Sequence, residues 1–140
     1  DARVGGGDRV FDSLEAVKAY LADRYPRLPA DAVERRARYG YVATAGGWRA
    51  LADPAAMRQT SRGLRTDLEP ALRGIRVPTL LVRGADSRLV SPAAWKKTRI
   101  LRPDLPAVEV AGADHYAPEE VYGPIAGEIG RFWNSLERGR

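Results

Sequence analysis

Cysteine is absent from the 140 residues, and histidine occurs once. The first absence excludes disulfides, thiol nucleophiles and cysteine-ligated metals, and the second excludes a centre built from several imidazoles. Metal chemistry is not expected. No apolar run approaches the roughly 18 residues that a membrane-crossing helix needs, and the opening residues lack a signal-peptide pattern. The expectation is a soluble, cytoplasmic protein with no membrane partner. Acidic charge is in the minority, with 18 Asp and Glu against 23 Lys and Arg, a net +5. Arg35, Arg36, Arg38 and Arg58 nevertheless alternate with acidic and apolar residues and form no basic tract. They read as solvated helix faces, and nucleic-acid binding is not expected. The hydrophobic share of 44% suffices for a packed core.

Glycines Gly5, Gly6 and Gly7 follow no strand and match no nucleotide-binding fingerprint, so the stretch Asp1 to Val10 reads as a connector. Asp12 with Glu15 forms a capping box for a helix that carries Leu14, Val17, Tyr20 and Leu21 and stops at Pro26. A second helix is expected from Pro29 to Tyr39, with Gly40 as its left-handed stop. Tyr41 to Thr44 and Trp48 to Leu51 flank Ala45, Gly46 and Gly47, a spacing that suits a short hairpin or an irregular turn. Asp53 and Pro54 open a further helix, and Asp67 to Leu72 forms another, closed by Gly74.

The pattern then changes. Val77 to Val82 is a nearly continuous apolar run ended by Gly84, as in a buried parallel strand. Pro92 to Leu101 reads as a helix, Ala107 to Val110 as a strand and Pro124 to Leu136 as a terminal helix. Strand, helix, strand, helix is the signature of a parallel α/β layer, here preceded by a mainly helical region. Two strands leave open edges and partly covered faces. An upstream segment or a partner chain is therefore expected to complete the sheet.

His115 lies in Gly112-Ala113-Asp114-His115-Tyr116, beyond the second strand and before the last helix. That places it at the carboxyl edge of the sheet, where open α/β folds build their sites, and general base is the role assigned to it. The strand from Val77, the turn at Gly84, the helix from Pro92 and the segment Gly112 to Tyr116 together resemble the last third of the α/β-hydrolase family. The resemblance extends through Ala19-Tyr20-Leu21, Arg24-Tyr25-Pro26, Gly46-Gly47, Arg62-Gly63-Leu64-Arg65 and Leu101-Arg102-Pro103-Asp104-Leu105-Pro106. It implies an incomplete α/β-hydrolase fold: a helical cap region with connector over residues 1–75, then the last two parallel strands and their flanking helices over residues 76–140.

The resemblance also implies a reaction. It points to family members of vitamin B6 breakdown that hydrolyse the amide of an enamide-like dicarboxylate without a cofactor. The triad histidine corresponds to His115, and Arg3, Arg24, Tyr25 and Tyr116 are implied in binding the substrate. The family's Gly-x-Ser-x-Gly nucleophile elbow does not occur around Ser13, Ser61, Ser87, Ser91 or Ser135, so the nucleophile is expected outside this stretch. Many relatives place the triad acid three residues after the strand-ending glycine, a position held here by Ser87. In the members that act on the dicarboxylate the acid follows an earlier strand, which leaves Asp86 as a turn residue and Asp114 as structural. Trp48, Trp95 and Trp133 read as packing aromatics. Two other readings stay open: the same fold acting on an ester or a carbon–carbon bond, and a non-catalytic binding module. Homo-oligomerisation is also left open.

Overall fold

A computed structural model describes residues 9–138 and divides the chain into two compact units, Asp1–Asp67 and Leu68–Arg140. In the first unit, β1 (Val10–Phe11) leads into α1 (Leu14–Arg24) and α2 (Ala30–Gly40). A hairpin of β2 (Tyr41–Thr44) and β3 (Gly47–Ala50) follows, then α3 (Pro54–Gly63). The helix α1 starts one residue later than its capping pattern suggested: Ser13, not Asp12, is the cap, its hydroxyl accepting from Ala16 N at 3.1 Å. α1 buries Val17 and Leu21, one helical turn apart, while α2 buries Ala32, Val33 and Ala37. Small alanines let the two helices pack closely, and Lys18 on α1 bridges them by pairing with Glu34 on α2 at 2.9 Å.

Gly40 does not end α2 in a left-handed turn. It is the last helical residue, and the chain passes straight into β2. The hairpin forms, but its turn is Ala45 and Gly46 alone: Gly47 pairs with Thr44 and opens the second strand, which ends at Ala50 and not Leu51. A third strand was not expected: Val10, read as the end of the connector, and Phe11 after it pair antiparallel with Arg49 and Trp48, giving the sheet order β1-β3-β2. Gly47 makes this possible. Its φ is 120°, and a Cβ there would meet Phe11 O at 2.5 Å. The helix α3 buries none of its residues.

The second unit contains α4 (Glu69–Arg73), β4 (Leu81–Gly84), α5 (Pro92–Leu101), β5 (Ala107–Val110), α6 (Ala117–Glu120) and α7 (Tyr122–Glu137). β4 and β5 run parallel in register Leu81↔Ala107 to Gly84↔Val110, the α/β connection expected from the sequence. The strand is shorter than its apolar run. Val77 to Leu80 precede it, because Pro78 has no N–H to give a ladder, and Val77 is 69% exposed. The core is Val110, Ala113, Ala117 and Ile125, with Val108 and Val121 packed against it. Trp133, expected to pack, is instead 61% exposed on α7. α7 is longer than its sequence pattern, and the short turn α6 before it was not foreseen.

Candidate active site

Beyond β5 the chain turns at Gly112, whose φ of 73° lies in the left-handed region that glycine occupies without steric penalty. The turn brings residues 113–115 beside the loop that leaves β4. Ala85 N donates to Val110 O and Asp86 N to Ala113 O, each at 2.9 Å, so the two loops are laced together. Arg88 N adds a bond to Asp114 Oδ1 at 3.2 Å. Gly84 stands where the loops meet: a Cβ there would lie 2.0 Å from Asp114 O.

Arg83 fixes the first of these loops from inside. Its side chain is 3% exposed. Nε donates to Val90 O at 2.8 Å and Nη2 to Ser87 O at 3.2 Å. Nη1 donates to Ala85 O at 3.0 Å and to Glu109 Oε2 at 3.1 Å. A buried guanidinium satisfied in this way is a rigid brace, because its planar fork matches several acceptors at once. Ser87 is buried; its hydroxyl accepts from Val90 N at 3.2 Å and so holds the loop.

His115 follows this framework. It is exposed, and its ring meets the Tyr116 ring edge-on with centroids 5.3 Å apart. It borders a hollow of about 250 Å3 shared with Gly84, Ser87, Ala117, Ile125 and Ile129. A base that can meet a solute from one side while apolar carbons line the other is suited to moving a proton in a partly dry site. A larger hollow, about 800 Å3, lies at the opposite, amino end of the strands and is lined by Val77, Pro78, Leu105, Pro106 and Phe132. It is also lined by Asp104 and Glu128, each paired with an arginine, and it lies away from His115, so the smaller hollow is the candidate site.

In the first unit, Tyr25 caps the end of α1, its N–H donating to Leu21 O at 2.9 Å. The Arg24 guanidinium lies 5.8 Å from the centre of its ring and that of Arg36 lies 4.5 Å away. Burial raises the pKa of the neighbouring Tyr41 phenol above its usual 10.0, and the nearby phenols of Tyr20 and Tyr25 push the same way, so Tyr41 remains a neutral donor at physiological pH. The structure thus brings Arg24 together with Tyr25 in one unit and His115 with Tyr116 in the other. Arg3 lies outside the described residues.

Arg36 was read from the sequence as a solvated charge. Its spacing held the contrary signal: it stands four residues after Ala32 and three after Val33, on the face that α2 buries. Arg83 and Asp114 as braces carry no such pattern, since their partners are mostly backbone groups of other segments. Among the described residues no group of three or more His, Asp or Glu is placed to hold a metal ion, and no helix is long and apolar enough to cross a membrane.

A crystal structure of E-2-(acetamidomethylene)succinate hydrolase superposes on 95% of this chain with a TM-score of 0.92 and 53% identity. The chain folds as part of an α/β-hydrolase. It covers 50% of that structure. The 2-(acetamidomethylene)succinate hydrolase of Mesorhizobium japonicum is 57% identical over 119 residues, which is 85% of this chain and 43% of the relative. The chain therefore spans about half the length of these hydrolases. A thioesterase domain from the curacin biosynthetic pathway covers 86% of the chain at 22% identity and TM-score 0.73. A Mycobacterium tuberculosis esterase covers 92% at 17% identity and TM-score 0.64. In each of these two the chain accounts for 45% of the matched structure, and they share the hydrolase fold alone. No family model matches the chain.

Proposed function

We propose that this chain forms the histidine-bearing portion of a hydrolase that cleaves the amide of (E)-2-(acetamidomethylene)succinate. The observation that carries the reading is His115, held at the carboxyl edge of the parallel pair by two laced loops and bordering a hollow with apolar walls. The likeness to hydrolases named for that substrate, above 50% identity, supports the choice of chemistry. In this proposal the nucleophile, the triad acid and the oxyanion donors belong to the part of the fold that the relatives carry in addition.

His115 takes the proton of the attacking hydroxyl or water and returns it to the departing nitrogen. Amide cleavage consumes one water and gives acetate and an enamine. The enamine takes up a second water and loses ammonia, which leaves an aldehyde β to a carboxyl group. Loss of carbon dioxide from that β-oxo acid yields succinic semialdehyde. Arg24 and Tyr25 bind a substrate carboxylate, the guanidinium by its two-pronged donor fork and the phenol by a single bond, while Tyr116 orders the ring of the base. We place the reaction in the cytoplasm.

Incubating the whole enzyme with (E)-2-(acetamidomethylene)succinate and following acetate by proton NMR tests the reading. Acetate release is expected, together with a KM raised by about tenfold or more in Arg24→Ala, the loss of a charge-assisted bond. Turnover of a neutral ester with none of the diacid amide contradicts it.

A further inference from the structure

We propose that Asp114 is a positioning residue for His115, acting through backbone hydrogen bonds and not through its charge on the imidazole. The proposal rests on the reading of His115 as the general base. Asp114 Oδ1 accepts from His115 N at 2.7 Å and from Arg88 N in the facing loop at 3.2 Å. The backbone N–H of Asp114 donates to Glu120 Oε2 at 2.7 Å. One residue therefore joins three segments: the loop after β5 that carries the base, the loop after β4, and α6. The second of these is held rigidly by the buried Arg83, whose fork ties Ala85, Ser87 and Val90 together.

The geometry makes Asp114 an anchor immediately beside the base. Residues 111 and 112 are exposed, and on the amino side of His115 the chain is tied to its surroundings by Asp86 N to Ala113 O and by Asp114 itself. Ala113 on the core side and Ala117 beyond are buried and fixed. Between them, the two bonds to Asp114 Oδ1 and the bond from Asp114 N to Glu120 hold the chain at residue 115. A bond between a carboxylate and a backbone N–H is among the stronger hydrogen bonds, and here two N–H groups share one oxygen.

An amide oxygen in place of Oδ1 accepts the same two bonds without charge. Asp114→Asn therefore separates positioning from electrostatics, and Asp114→Ala removes both. His115 is the sole histidine of the chain, so its ring protons give unique NMR signals in the 140-residue protein, and the nuclear Overhauser contact to the Tyr116 ring, at a centroid distance of 5.3 Å, reports its orientation. Expected for Asp114→Ala are loss of that contact and, in the whole enzyme, a fall in kcat of about 10- to 100-fold with KM changed by less than about threefold, the size of effect that a misplacement near 1 Å produces. Asp114→Asn keeps the ring contact and a kcat within about threefold of wild type.

A wild-type ring contact and kcat in Asp114→Ala overturn the proposal, as does a kcat in Asp114→Asn as low as in Asp114→Ala. If Asp114→Ala does not fold, as circular dichroism shows, Asp114→Asn decides alone: retained contact and rate support the proposal, and their loss overturns it. An active His115→Ala enzyme would remove the functional reading, while the ring contact in the Asp114 variants would still report whether Asp114 orients residue 115.

Discussion

Gly84→Ala puts the lacing of the two loops to its hardest test. The added methyl would sit 2.0 Å from Asp114 O, 2.5 Å from Ala113 O and 2.8 Å from Ala113 C, all backbone atoms that no rotamer change can clear. Ordinary contact needs roughly 3.5 Å, so the loop after β5 must retreat by more than about 1 Å. Overpacking of this kind costs about 1–3 kcal/mol. The retreat also breaks Asp86 N to Ala113 O and Arg88 N to Asp114 Oδ1, each worth about 0.5–1.5 kcal/mol or somewhat more where the carboxylate accepts. A loss of about 2–6 kcal/mol is expected in urea unfolding, large against the roughly 5–15 kcal/mol typical of a domain. Because the same shift moves His115, the whole enzyme should lose about 100-fold in kcat even where the variant remains folded. A change below about 0.5 kcal/mol, with the His115 ring signals unmoved, would refute the close approach on which this reasoning stands.

Ile125 is 4% exposed in the core of the second unit, and Ile125→Ala should lower its unfolding free energy by about 2–5 kcal/mol, measured by denaturant titration; a neutral result would mean that the packing around Val110 and Ala117 is not as described. The Glu69 carboxyl is held below its ordinary 4.5, first by Lys97 and then by Arg73, so the stability it contributes is complete above that value and is lost as the pH falls through the lower, folded value. The melting temperature should accordingly decline on acidification from about pH 5 downward, and Glu69→Gln should make that decline shallower without abolishing it, because Asp31 beside Arg35 and Asp104 beside Arg102 titrate in the same direction. An unchanged slope in calorimetric scans would show that the Glu69 pairs are screened out by solvent.

How much of this was legible in the sequence depended on whether the signal was local. Pro92 after Ser91, and Pro54 after Asp53, mark helix starts that the structure reproduces, because a cap and its acceptor lie within one turn. The strand Ala107–Val110 was read at its observed limits, since Pro106 precedes it and an alanine–glycine turn follows. Val10 and Phe11 were missed because a two-residue strand has no periodicity of its own; its pairing with β3 is specified by residues nearly forty positions away and by the room that Gly47 leaves. The apolar run from Val77 overstated β4, since hydrophobicity says nothing about where a proline ends the ladder. For the site, the position of His115 after a strand could be read directly, whereas the bonds that hold it could not: Arg83 and Asp114 find carbonyl and amide partners that every residue possesses.

In the proposed reaction the imidazole of His115 is the group that moves the proton. Replacing it by alanine in the whole enzyme and measuring acetate release from (E)-2-(acetamidomethylene)succinate is the direct measurement. A kcat lower by about 100-fold or more with KM little changed is expected, as removal of a general base produces. Turnover within a fewfold of wild type would contradict it.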